Sequence, residues 1–214
     1  LVNRLLMPYI NEACRSLEEG SATAKKIDEA MVAFGMPMGP FLMLDSVGID
    51  ISYHVAQVLR EGFGPKASIP RVLEAMARDR RWGRKSGIGF YVYDGRADDL
   101  EGYVRRACPG GKGGDFDPDR LLLAMLNEAC ACLEEGVASP GDVDLSLLAG
   151  IGFPQATQGL LHWADARGLD EIFRRLKELA QSHGPAFWPS VHLQRLVSAG
   201  FTGARAKRGF FDYT

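Results

Sequence analysis

The side chains that could do chemistry in this chain are few, and most arrangements of catalytic or metal-binding residues are missing from the sequence. The four histidines stand at irregular spacings and the four cysteines form no C-x-x-C pair, so the sequence predicts no metal site. Cys14 and Cys130 fall on apolar helical faces, which predicts small core residues. His54 has no carboxylate partner nearby in sequence and is expected at the surface.

Asn3 is a polar residue at the start of the first predicted helix. Its position alone favours a side chain that only caps or frays this helix.

The glycine-rich strings do not predict a nucleotide site. The Gly87-Ile88-Gly89 string lacks the strand, tight turn and helix that a dinucleotide-binding motif requires. Cofactor chemistry would therefore depend on residues outside this sequence.

The chain repeats itself, and this repeat predicts its organisation. NEACRSLEEG at 11–20 returns as NEACACLEEG at 127–136, and GRKSGIGFYVY at 83–93 returns as GARAKRGFFDY at 203–213. A repeat of this length is a duplicated domain rather than a solenoid unit. We predict a first domain at 1–95, a linker at 96–118 with a short helix near 98–106, and a second, degenerate copy at 119–214.

Both copies are predicted to be helical. Seven apolar residues recur at helical spacing near each start, so both first helices bury the same face. These are Leu5, Leu6, Tyr9, Ile10, Ala13, Cys14 and Leu17, matched by Leu121, Leu122, Met125, Leu126, Ala129, Cys130 and Leu133. Thr23 and Ser139 are predicted N-caps of the second helices. Asn11 and Asn127 recur in both copies, which favours a structural role for them.

Composition excludes several classes of partner. Formal net charge is −2 with both signs interspersed, which does not predict nucleic-acid binding. Apolar stretches are shorter than the roughly 18 residues of a membrane span. The composition favours a bacterial cytoplasm, and the C-terminal Phe-Asp-Tyr-Thr differs from a peroxisomal signal.

Three strings in the first copy resemble one enzyme family. LVNRLLMPYINEA (1–13), GMPMGPFLMLDSVGID (35–50) and RWGRKSGIGFYVY (81–93) resemble the C-terminal domain of L-3-hydroxyacyl-CoA dehydrogenase. The second copy matches more loosely, as in multifunctional fatty-acid oxidation proteins that carry this domain twice. The resemblance implies an all-α fold, with two tandem copies packed as a pseudo-dimer.

The resemblance also implies a function. In that family an upstream Rossmann domain binds NAD and holds a His–Glu pair, and the product is a 3-ketoacyl-CoA. The family's helical domain contributes one catalytic residue, the asparagine of its VNR string, which the resemblance places at Asn3; the counterpart in the second copy is Asp119. A neutral amide there can donate to an oxygen that gains charge, or accept from an imidazole, without adding a net charge. The chain is therefore expected to be a piece of a longer protein that acts on acyl-CoA and is inactive alone. A hydratase domain and a thiolase subunit are possible partners.

The turn after the second helix is the predicted acyl-chain contact. Its residues could line the acyl path or simply cap the core, and the two roles are compatible; they are Met36, Pro37, Met38, Pro40, Phe41 and Leu44. The second copy lacks both methionines.

The basic run 78–85 could contact a CoA phosphate. A solvated turn with Trp82 tucked beneath the domain is favoured, because Arg205, Lys207 and Arg208 recur in the second copy. The alternative to the enzyme as a whole is a non-catalytic helical binding or assembly module.

Overall fold

A computed structural model describes residues 1–64 and 67–214. Across the described ranges the chain forms eleven α-helices and only isolated antiparallel bridges, which confirms the all-α prediction. The helices are α1 Val2–Glu19, α2 Ala24–Phe34, α3 Pro40–Val47, α4 Ile49–Phe63, α5 Arg71–Arg78, α6 Leu100–Ala107, α7 Pro118–Glu134, α8 Pro140–Ile151, α9 Leu160–Arg167, α10 Leu169–His183 and α11 Val191–Ser198.

The chain divides into two compact units. The inner unit is Tyr9–Pro118, and the terminal unit joins Leu1–Pro8 to Asp119–Thr214. The first two turns of α1 therefore group with the second copy, although α1 is one continuous helix. The domain bounds 1–95, 96–118 and 119–214 stay a prediction from the repeat.

The predicted helix ends are confirmed by their caps. The Thr23 side chain accepts a hydrogen bond from the Lys26 N–H at the start of α2. At the start of α8, Ser139 and Asp142 form a reciprocal capping box, with Pro140 in the first turn.

The apolar stripes of α1 and α7 form the cores, as predicted. Leu5, Tyr9, Leu121 and Met125 are fully buried, as are Cys14 and Cys130, which confirms both cysteines as core residues. Leu6 and Leu133 are the two members of the stripes that stay partly exposed. None of the described helices is long and apolar enough to cross a membrane.

A buried aspartate holds the start of α3 in the inner unit. The Asp28 carboxylate accepts hydrogen bonds from the backbone N–H groups of Phe41 and Leu42 at 2.9 and 3.0 Å, and from the Tyr91 hydroxyl at 2.8 Å. It thus satisfies donors that helix geometry leaves open at an N-terminus. A Cβ on Gly39 would lie 2.2 Å from Asp28 Cγ, so this glycine makes room for the carboxylate.

A second aspartate holds the aromatic segment that ends each copy. In the inner unit, Asp45 accepts from the N–H groups of Phe90 and Tyr91, both at 2.9 Å, and from the Tyr93 hydroxyl at 3.0 Å. A Cβ on Gly89 would lie 2.0 Å from Asp45 Oδ1.

The terminal unit repeats this arrangement with its own residues. Asp165 accepts from the Phe210 and Phe211 N–H groups and from the Tyr213 hydroxyl, each at 3.0 Å. Since the same three donors recur, this carboxylate is part of the fold common to both copies.

The predicted linker belongs to the inner unit. It contains α6, Leu100–Ala107, close to the predicted 98–106, and α6 packs on α5. Arg81 is buried and binds Asp98 through two bonds of 2.8 Å, and its guanidinium lies 4.7 Å from the centre of the Tyr103 ring.

Replacing Asp45 tests the carboxylate that holds the aromatic segment. Asp45→Asn should lower the free energy of unfolding by about 1–3 kcal/mol, because the amide turns one acceptor into a donor that faces a backbone N–H. Urea denaturation followed by circular dichroism measures the change. Asp212→Asn is the matched control, since Asp212 is exposed and its side chain accepts hydrogen bonds from Thr214. An Asp45→Asn protein with an unchanged midpoint would contradict the role assigned to this carboxylate.

The two copies satisfy the first aspartate differently. In the terminal unit, Asp144 accepts from the backbone N–H groups of Leu161 and His162 at 2.7 and 3.2 Å, and the His162 ring Nδ1 lies 2.7 Å from it. His162 occupies the repeat position of Leu42, and Phe211 occupies that of Tyr91. An imidazole stacked on Phe211 at 3.8 Å has thus replaced the tyrosine hydroxyl as the third partner.

This exchange predicts a rescue. His162→Leu should destabilise the chain by about 1 kcal/mol, because Asp144 loses one partner in a nearly dry site. Adding Phe211→Tyr to His162→Leu should recover most of that loss, since it recreates the first copy's arrangement. Thermal unfolding of the wild type, both single variants and the double variant gives the coupling. Additive effects of the two substitutions would contradict the exchange.

Candidate functional site

Asn3 lies in the first turn of α1 with its side chain exposed. Within residues 1–64 and 67–214, no hydrogen-bond partner binds its side-chain amide. An open amide at a helix start is chemically able to donate to, or accept from, a group that arrives from outside.

The residues on either side of Asn3 are anchored in the terminal unit. Arg4 binds Glu128 at 2.6 Å and Glu135 at 2.7 and 3.0 Å. Val2 lies against Gly150 of α8, where an added Cβ would be 2.9 Å from Val2 Cγ2. The amide is therefore open while its neighbours in sequence are fixed.

Asp119, the second-copy counterpart of Asn3, forms ion pairs with two arginines. Arg167 binds both Asp119 oxygens, at 2.7 and 2.8 Å, and Arg175 lies 3.6 Å from the same carboxylate. The pair with Asp119 raises the pKa of Arg167 above its usual value. A bidentate pair of this kind fixes both side chains, so the position is structural in the second copy.

The six residues predicted to contact the acyl chain divide into core and surface. Phe41 is fully buried, and its ring centre lies 4.5 Å from that of Phe90. Met36, Pro40 and Leu44 are also buried in the inner unit. Only Met38, which is partly exposed, and Pro37, which is exposed, are open at the surface. Capping of the core is thus the observed role of four of the six.

The exposed faces of α3 and α4 differ from their repeats. In the first copy this surface carries exposed aliphatic residues, namely Val47, Ile51 and Val58. The second copy has charged residues at the matching positions, namely Arg167, Glu171 and Glu178. Exposed aliphatic residues at these three positions are thus a property of the first copy.

Other sequence candidates have structural roles. Asn11 donates to the Ser68 carbonyl at 2.9 Å, and Asn127 accepts from the Ser190 N–H at 2.8 Å, so each asparagine holds the loop before a helix. This confirms their structural role. His54 is exposed, as predicted.

The basic run is largely paired within the inner unit. Arg78 bonds to Asp79 at 3.0 Å and Lys85 to Asp50 at 2.5 Å. Trp82 is half-buried, as predicted. The prediction of a solvated turn was wrong for Arg81, because the ion pair with Asp98 holds this side chain in a buried position.

Sequence reasoning missed Arg4, Glu128 and Glu135. The signal was available, because the repeat offset places the same residue types at the corresponding positions, namely Arg120, Glu12 and Glu19. Because one arginine and two glutamates recur with the apolar stripe in both copies, the sequence predicts ion pairs among them. It does not predict which arginine binds which glutamates.

Two serial copies of one helical domain, each closed by an aspartate and an aromatic segment, define a tandem-domain protein. The family model described as 3-hydroxyacyl-CoA dehydrogenase, C-terminal domain, matches residues 1–93 and again residues 116–213. The chain belongs to this family.

Curated relatives carry the same region inside longer proteins. The fatty acid oxidation complex subunit alpha of Vibrio vulnificus is 38% identical over 216 residues, covering 99% of this chain and 30% of that protein. The protein of the same name from Idiomarina loihiensis is 39% identical, covering 94% of this chain and 29% of that protein. The chain thus spans about 30% of the length of these relatives.

Solved structures share the fold. The dehydrogenase part of multifunctional enzyme 1 from C. elegans has a TM-score of 0.65 at 25% identity and covers 90% of this chain and 46% of that chain. The 3-hydroxybutyryl-CoA dehydrogenase from Escherichia coli has a TM-score of 0.79 and covers 94% of this chain and 60% of that chain; at 21% identity it shows the fold alone.

Proposed function

We propose that these residues complete the active site of an NAD-dependent dehydrogenase of fatty acid β-oxidation, which converts a 3-hydroxyacyl-CoA to a 3-ketoacyl-CoA. The observation that carries the proposal is the exposed Asn3 in the copy that keeps the family's strings, set against an Asp119 bound by arginines in the other. Membership of the dehydrogenase family and relatives named for fatty acid oxidation support it.

The described residues do not fit an NAD site themselves. A dinucleotide fold needs a parallel sheet whose first strand leads into a glycine-rich turn and a helix. Here Gly89 instead makes room for Asp45, and the described chain has only isolated antiparallel bridges. We propose that a Rossmann domain elsewhere in the polypeptide binds NAD and holds the catalytic base. This chain alone is then inactive.

The part of the reaction that belongs to this chain is binding and orientation. The Asn3 amide would hydrogen-bond at the reacting centre, where a fixed neutral donor or acceptor stabilises developing charge without reorganising. Pro37 and Met38, with the aliphatic surface of Val47 and Ile51, would contact the acyl chain by burial of apolar area. A hydratase domain, a thiolase subunit and a bacterial cytoplasmic location belong to the same proposal, supported by the names of the relatives.

Replacing Asn3 tests the proposal in the full native reading frame that contains residues 1–214. Asn3→Ala should lower kcat for NAD reduction with a 3-hydroxyacyl-CoA by about 100- to 1,000-fold, the range seen when one fixed donor to a developing charge is removed. Because Asn3 is exposed, its replacement should change the free energy of unfolding by no more than about 0.5 kcal/mol.

Asp119→Asn is the matched control for Asn3→Ala. It should lower stability, because it weakens the pair with Arg167, and leave kcat near the wild-type value at a temperature where the variant is folded. Unchanged turnover of Asn3→Ala would remove Asn3 from the site and favour a helical binding or assembly module instead.

The pseudo-dimer prediction has a separate test. If apolar faces that pair between subunits elsewhere pair within this chain, burial is satisfied without a second molecule. The 214 residues should then sediment as a monomer at micromolar concentration. A concentration-dependent dimer would contradict the prediction.

A further inference from the structure

We propose that the degenerate second copy positions Asn3 for the reaction by anchoring the two residues that flank it, Val2 and Arg4. The inference rests on the proposed function, since it assigns the second copy a task only if Asn3 acts on substrate. Arg4 and Val2 are then positioning residues, and the second copy is a working part of the dehydrogenase.

The anchor on one side is ionic. The Arg4 guanidinium binds Glu128 on α7 and also Glu135, the residue that follows the end of α7. The side chains of Arg4 and Glu128 are only 12% and 16% exposed, so solvent and salt screen the pair weakly. Three charge-assisted bonds fix the direction of Arg4 as well as its distance.

The anchor on the other side is steric. Gly150 lies near the end of α8, and the absence of a side chain there lets Val2 approach closely. A methyl group on residue 150 would come within 2.9 Å of Val2 Cγ2, so Val2 would have to move. Asn3 is thus exposed between one ionic and one close-packed contact.

Pro8 makes these anchors more important. It lies inside α1 and has no N–H, so it cannot make the helical bond to the carbonyl of residue 4. The second copy has Ala124 at this position and keeps that donor. Because the turn that carries Asn3 is joined to the rest of α1 by one backbone bond fewer, its orientation depends more on contacts with α7 and α8.

The test compares variants in the full native reading frame. Arg4→Met keeps an unbranched, largely apolar side chain and removes the guanidinium group; it should lower kcat by about 10- to 100-fold with little change in KM, the cost expected when a catalytic group is misplaced by about 1 Å. In an Asn3→Ala background, Arg4→Met should lower kcat no further, because it acts only through Asn3. Combining Arg4→Glu with Glu128→Arg should recover part of the kcat lost by Arg4→Glu alone.

Gly150→Ala probes the steric anchor without touching a charge. Alanine has the higher helix propensity, so the stability of α8 should not fall, yet the displaced Val2 should lower kcat. This variant keeps the inference testable should Arg4→Met fold poorly. Arg120→Met is the matched control, since Arg120 is the buried repeat of Arg4 but follows Asp119 instead of an open amide; it should lower stability and leave kcat unchanged below its unfolding temperature.

The outcomes separate the two proposals. Full activity of Asn3→Ala would overturn the proposed function, and the inference with it. If Asn3→Ala loses turnover while Gly150→Ala and a folded Arg4→Met keep the wild-type kcat, the proposed function stands and the inference is wrong. Equal further loss from Arg4→Met with and without Asn3 would show that Arg4 acts on the fold alone, which also overturns the inference.

Discussion

Buried carboxylates that bind backbone N–H groups hold each helical domain together. In the inner unit, Asp28 fixes the start of α3 and Asp45 fixes the closing aromatic segment, so two aspartates join parts of the chain that are far apart in sequence.

Burial raises the pKa of both carboxyl groups, and the backbone donors offset this only in part. The folded protein therefore binds these protons more tightly than the unfolded chain does. The contribution of that binding to stability is full below the unfolded pKa and is lost as pH rises through the folded pKa. At neutral pH the burial of each charge offsets part of what its hydrogen bonds contribute, and the several donors that converge on each carboxylate give the site a defined geometry.

That geometry explains why the glycines recur with the aspartates. Gly39 and Gly89 lie where any side chain would collide with Asp28 or Asp45. The two copies therefore share the same pairing, in which each buried aspartate lies against a glycine that leaves room for the carboxylate. The copies diverge freely only where a substitution leaves these pairs intact or replaces one partner, as His162 does for Asp144.

Much of the fold could be predicted because its signals are local. The apolar stripe of α1 and the caps at Thr23 and Ser139 depend on neighbours within a few residues, and the repeat supplied each prediction twice. The contacts of Asp45 could not be predicted, since its donors lie about 45 residues further along and no periodicity relates them. The division of α1 at Pro8 was also missed, because the apolar stripe runs unbroken across it.

The site was harder to predict than the fold because a sequence pattern does not say which apolar residues are needed by the core. Pro37 lies in the turn before α3 and Phe41 lies in the first turn of α3, four residues later, yet only Pro37 of the two is exposed. The comparison of copies resolves part of this ambiguity, since a position that is apolar in both copies is favoured for the core and one that is charged in either copy is favoured for the surface.

Arg167 stands at the repeat position of Val47, and this arginine binds Asp119, which stands at the repeat position of Asn3. The two copies thus differ at both partners of this ion pair, in which the arginine stabilises the carboxylate. The acidic residues that bind Arg4 are separate from this pair, since Glu128 and Glu135 lie 9 and 16 residues after Asp119. The second copy can therefore differ from the first at the position of Asn3 and still anchor Arg4.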